Sequence, residues 1–149
     1  MINDPSLLEL FSAESDEHLA RLDAALLAAE QTPEAVPPYP DMMREAHSLK
    51  GAARMIGLID IEALAHRLED VLAACQRGAL QLGPQLERLS RALKALAAMV
   101  REATTGQPAG LDLEAELAAL TVTQAEPSSS ASATAPTTPT TPTTPTTPT

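Results

Sequence analysis

The chain has 149 residues, with 20 Asp and Glu against 10 Lys and Arg, a net charge of −10. That balance leaves no basic stripe of the size a phosphate backbone requires, so nucleic acid is not an expected partner. A lone cysteine, Cys75, precludes an intrachain disulfide. Met1–Pro5 lacks the start of a signal peptide, and no stretch approaches the ~18–20 apolar residues of a membrane span, so the chain reads as cytoplasmic with no membrane insertion.

Ala and Leu dominate residues 1–120, with one Phe, one Tyr and no Trp, which predicts an all-α fold. Asp4 followed by Pro5 is a helix start, an N-cap acceptor before a proline in the first turn. From there Leu8, Phe11, Ser15, Leu19, Leu22, Leu26 and Ala29 recur at three and four, predicting a long amphipathic helix to Gln31. His18, on this helix, reads as a surface residue or a satisfied core polar group, with nothing beside it arranged for chemistry. Its acidic residues read as a solvated face.

Pro33, Pro37, Pro38 and Pro40 break the chain into a loop. A second helix is expected from about Asp41 to Gly57, with Met42, Ala46, Leu49, Ala53 and Ile56 as its core stripe. A third, capped by Asp60, runs to Gly78 and buries Ile61, Leu64, Ala65, Leu68, Val71, Leu72 and Cys75. Gly83 and Pro84 open a fourth, carrying Leu86, Leu89, Leu93, Leu96 and Val100 to Gly106, and Asp112 caps a short fifth to about Leu120. Short later loops favour antiparallel neighbours, hence an up-down four-helix bundle with a short fifth C-terminal helix. Residues 1–120 thus form one domain. Residues 121–149, almost only Thr, Pro, Ser and Ala and ending in Thr-Thr-Pro repeats, are expected to be a disordered linker, and the end at Thr149 suggests a piece of a longer chain.

At 100° per residue, His47, Lys50 and Arg54 share a row about 80–140° from the core stripe of the second helix, with Arg44 and Gly51 beside them. This is a positive strip in an acidic chain, with a glycine that costs a helix interior about 1 kcal/mol relative to alanine. Gly51 would let something approach the backbone. On the third helix Glu62, His66, Glu69 and Ala73 flank the core stripe, so an antiparallel pairing brings His66 or Glu69 across a groove from His47. A carboxylate accepting one imidazole N–H fixes the tautomer and leaves the other nitrogen nucleophilic. Lys50 could offset charge on an incoming phosphoryl group. Phosphoryl transfer to His47 is the chemistry this set suits. No Walker-type loop or Mg²⁺-binding acidic pair accompanies it, so the donor must lie on another domain or protein. A zinc site is not read, because His66-x-x-Glu69 is not the His-Glu-x-x-His pattern and Cys75 falls on the core stripe.

The runs His47-Ser48-Leu49-Lys50-Gly51 and Leu64-Ala65-His66-Arg67-Leu68-Glu69 resemble the histidine-containing phosphotransfer (HPt) family, in particular the N-terminal phosphotransfer domain of CheA-type chemotaxis histidine kinases. The resemblance covers about Pro5 to Arg101. It implies a four-helix bundle with a fifth helix, His47 as phosphoacceptor at Nε2, Glu69 on its Nδ1, and His66 as a second member of the hydrogen-bonding set. Lys50 and Gly51 match the family's basic and small positions, and Arg44, Gly51 and Arg54 would form partner surface. The resemblance also implies no cofactor in this domain. ATP and Mg²⁺ would sit on a partner histidine kinase domain, in the same polypeptide and acting in trans within a dimer. A response-regulator receiver domain would collect the phosphoryl group on an aspartate. The proline-rich loop Thr32–Pro40 departs from the family pattern. The alternatives are a stand-alone phosphorelay protein and a non-catalytic helical adaptor.

Overall fold

The computed structural model describes residues 4–120. The linker expected over residues 121–149 lies outside the described residues. Five helices follow in order: α1 (Pro5–Gln31), α2 (Tyr39–Met55), α3 (Ile59–Gln76), α4 (Leu82–Thr105) and α5 (Leu113–Ala119). Helices adjacent in sequence pack side by side, α4 closes the ring against α1, and α5 lies over α3 and α4. The chain is all-α among the described residues, as its composition implied.

Each boundary has a local cause. Asp4 caps α1, its carboxylate accepting from the Ser6 amide at 2.9 Å, and Asp112 likewise accepts from the Glu114 and Ala115 amides at the start of α5. Two expected starts move. α2 begins at Tyr39 rather than Asp41, because Pro40 falls in its first turn, where a missing N–H costs nothing. The expected Asp60 cap of α3 does not form: the N-cap is Leu58, and Asp60 sits in the first turn, where its charge faces the positive end of the helix. Between α2 and α3, Gly57 takes φ 80, a left-handed conformation open to glycine, and the Leu58 amide reaches back to the Ala53 carbonyl at 2.9 Å. A connection this tight reverses the chain at once and lays α3 antiparallel on α2.

The core is the set of apolar stripes anticipated from spacing. Leu22, Leu49, Leu64, Leu68, Leu72, Leu89, Leu96 and Val100 are all almost fully buried. Cys75 is buried with them, and burial pushes its thiol pKa up. Leu8, Ala29 and Leu86 are only partly covered. α5 is held by Leu120, which enters the core, and by Glu116, whose carboxylate takes two hydrogen bonds from Arg91 at 3.2 Å each.

Ser15 stands on the buried stripe of α1, and its hydroxyl has no hydrogen-bond partner. A buried unsatisfied hydroxyl opposes folding, whereas alanine fits the same space. Ser15→Ala should therefore stabilise the domain by about 1 kcal/mol. Urea unfolding measures it, and a loss of stability would show that the hydroxyl has a partner in solution.

Candidate functional site

α2 and α3 run antiparallel with a register set by the short Gly57 connection, and two cross-helix contacts mark it. His47 meets Glu69 (Nδ1 to Oε2, 3.0 Å), and two turns nearer the connection Arg54 approaches Glu62 (Nε to Oε2, 3.8 Å). Glu62 and Glu69 are seven residues apart and stand almost in line along α3, so both point at α2.

The carboxylate of Glu69 is shared. One oxygen takes His47 Nδ1, and the other accepts from Lys50 Nζ at 2.7 Å. Lys50 follows His47 by three residues, so both side chains leave α2 on the side that faces α3. The environments differ along this line. The His47 side chain is 65% exposed, while those of Glu69 and Lys50 are 19% and 22% exposed. The imidazole thus stands out from the helix on an ion pair tucked beneath it.

Burial by itself would raise the Glu69 pKa, but the Lys50 ammonium and the His47 imidazole outweigh it and hold the carboxyl below its usual range. Glu69 is therefore ionised at neutral pH. An ionised carboxylate can only accept, so the nitrogen facing it must donate: Nδ1 carries the proton. In the neutral ring the lone pair then belongs to Nε2, on the far side of the imidazole from Glu69. This arrangement suits nucleophilic attack by Nε2 on an electrophile arriving from solvent.

The other anticipated residues fall less uniformly. His66 does not join the cluster. It lies about 40–60° round α3 from the line of Glu62 and Glu69, and its Nε2 instead faces Asp70 at 3.7 Å, one turn along its own helix. Arg44 pairs with Asp41 at 2.9 Å on the exposed face of α2. Gly51 has open space where a Cβ would project, so the fold itself does not require its missing side chain. Lys50 sits on Glu69, its immediate task being to keep that carboxylate charged. A second cluster, missed in the sequence, joins α1 to α2: His18 and Arg21 both contact Glu45. The available signal was the spacing His18-x-x-Arg21, the same as His47-x-x-Lys50.

Comparisons with known proteins show the family of the chain. A family model described as Hpt domain matches residues 6–120. The chemotaxis protein CheA of Bacillus subtilis (strain 168) is 35% identical over 125 residues, 83% of this chain and 19% of that protein. The gliding motility regulatory protein of Myxococcus xanthus is 34% identical over 116 residues, 76% of this chain and 15% of that protein. The chain thus spans a fifth or less of the length of these relatives. Among solved structures, the phosphorylated P1 domain of CheA3 in complex with CheY6 from R. sphaeroides superposes with a TM-score of 0.71. It is 27% identical, covering 78% of this chain and 94% of that one.

The shared carboxylate predicts an acid-dependent contribution to stability. Its pKa is depressed in the fold, so the contribution is present at neutral pH and is lost as pH falls through the carboxylate range. Lys50→Met removes the strongest lowering influence and leaves the burial. In that variant the Glu69 carboxyl, followed by ¹³C NMR, should titrate higher than in the parent. Its stability deficit should be largest at neutral pH and should close as pH falls through and below the ordinary carboxylate range. A deficit independent of pH would mean that Lys50 acts through packing alone.

Proposed function

The chain belongs to the Hpt domain family, and from that membership we propose that it is the phosphoacceptor domain of a CheA-type protein histidine kinase, with His47 as the acceptor. The observation that carries the assignment is the contact of His47 Nδ1 with Glu69, which supports Nε2 as the nucleophile.

In this reading a separate ATP-binding kinase domain, on the same polypeptide and acting in trans within a dimer, presents the γ-phosphoryl group with Mg²⁺. Nε2 attacks phosphorus, the bond to the bridging oxygen breaks, and ADP leaves with the electron pair. The ring acquires positive charge as the bond forms, and Glu69 stabilises it through the Nδ1 hydrogen. Lys50 contributes by holding Glu69 ionised and in place. The ring's exposure lets it enter a partner's site, and the open space at Gly51 lets that partner come close to α2. A response-regulator receiver then collects the group on an aspartate. The R. sphaeroides neighbour, crystallised with CheY6, supports a partner of that type. On composition alone, residues 121–149 serve as the tether to the kinase, raising its effective concentration at the acceptor. The site of action is cytoplasmic.

Incubation with a CheA-type kinase domain and γ-labelled ATP tests the proposal. The parent should take up acid-labile phosphate, and His47→Gln should take up none while melting at an unchanged temperature, since His47 lies off the core. Glu69→Gln should slow uptake by about tenfold or more. Label retained at full level in His47→Gln would remove the acceptor assignment, and a Glu69→Gln variant as fast as the parent would remove the orienting role.

A further inference from the structure

His18 lies outside the site described above, yet its surroundings repeat that site's plan. At His47 the histidine is followed at i+3 by a cation, Lys50, and a glutamate of the next helix contacts both. At His18 the cation at i+3 is Arg21, and the glutamate of the next helix is Glu45. His18 Nδ1 stands 2.7 Å from Glu45 Oε1, and Arg21 Nη1 donates to the same oxygen at 3.2 Å. Arg21 also donates to Glu17 at 3.0 Å, which steadies the guanidinium along α1.

Glu45 sets the tautomer of His18 in the same way. Burial alone would raise the Glu45 pKa, but His18 and Arg21 outweigh it and hold it low, so Glu45 is an acceptor and His18 Nδ1 the donor. Nε2 is left with the lone pair of the neutral ring. That nitrogen makes no hydrogen bond to protein, and it also reaches solvent: Ser15 Oγ is the one buried, unpartnered side-chain polar atom among the described residues.

The two sites differ in access. The His18 side chain is 18% exposed, against 65% for His47. Where His47 is followed at i+4 by Gly51, His18 is followed by Leu22, which is in the core. His18 is thus set low between α1 and α2, with Nε2 in contact with solvent and no projecting ring to enter another domain's cleft.

We propose that His18 is a second phosphorylatable imidazole, open to compact phosphoryl donors and closed to a docked kinase domain. Phosphoramidate represents the donor class. His18 Nε2 attacks phosphorus, the P–N bond breaks, and ammonia leaves with the electron pair. The positive charge gained by the ring is met by Glu45 across the Nδ1 hydrogen, and that proton then passes to solvent.

His66 supplies an internal reference. It is 59% exposed, and its one ion-pair contact, to Asp70 at 3.7 Å, is through Nε2 and beyond hydrogen-bond distance. Accessibility alone ranks His66 above His18 in reactivity, whereas orientation by a carboxylate ranks His18 first.

The full chain carrying His47→Gln is treated with phosphoramidate, and phosphate at His18 and His66 is quantified by mass spectrometry in alkaline conditions. His18 should be labelled about tenfold faster than His66, and adding Glu45→Gln should lower that ratio about tenfold. Circular dichroism checks that the second variant folds; if it does not, the ratio in the first decides. Faster labelling of His66, or a ratio unmoved by Glu45→Gln in a folded protein, would overturn the proposal. A parallel arm uses kinase domain and ATP. Label on His18 there would overturn the size restriction, while the unsubstituted chain in that arm reads His47 separately.

Discussion

One carboxylate organises the proposed acceptor site. Glu69 meets both His47 and Lys50, and each contact conditions the other. Without the ammonium, a partly buried carboxylate would drift toward protonation and could then present a hydrogen to the imidazole instead of accepting one. Without the carboxylate, the imidazole would exchange tautomers and its nucleophilic nitrogen would be undefined. Exposed pairs elsewhere, such as Arg44–Asp41 and Arg21–Glu17, have no such consequence and add a few tenths of a kcal/mol at most, roughly. The value of the Glu69 cluster lies in what it orients more than in the stability it adds.

The bundle supplies the register on which that contact depends. His47 and Glu69 are 22 residues apart and meet because three residues, Ile56 to Leu58, reverse the chain between α2 and α3. Gly57 permits the turn, and the buried stripes of Leu49, Ala53, Leu64 and Leu68 lock the helices once they meet. A slip of one turn along α2 would carry His47 about 6 Å from Glu69, beyond any hydrogen bond. Core packing, not the polar contact, therefore sets the distance across the groove.

The sequence revealed helices and faces better than it revealed partners across a groove. Periodicity identified the stripes from Phe11 to Leu26 and from Leu64 to Cys75, because burial of one helical face leaves a direct trace at spacings of three and four. It also put His47 and Lys50 on one row, and an antiparallel pairing offered Glu69. It did not separate His66 from Glu69, since 40–60° of rotation decides between facing α2 and facing solvent. Glu45 went unread for a related reason: it leaves α2 on the side opposite Lys50, and only the packed position of α1 brings His18 and Arg21 to it. Helix starts at Tyr39 and Ile59 were missed where proline and aspartate, taken as boundary marks, fitted inside the first turn. The Arg91–Glu116 contact that holds α5 joins residues 25 apart with no periodic trace.

The proposed role of Glu69 is to fix which nitrogen of His47 reacts. It is tested most directly by ¹⁵N and ³¹P NMR of the domain labelled in histidine and phosphorylated by a kinase domain. Before phosphorylation, the neutral ring of His47 should carry its hydrogen on Nδ1 and leave Nε2 bare. Afterwards the phosphorus coupling should appear on Nε2. Phosphorus coupled to Nδ1, or an unphosphorylated ring with its hydrogen on Nε2, would contradict that role.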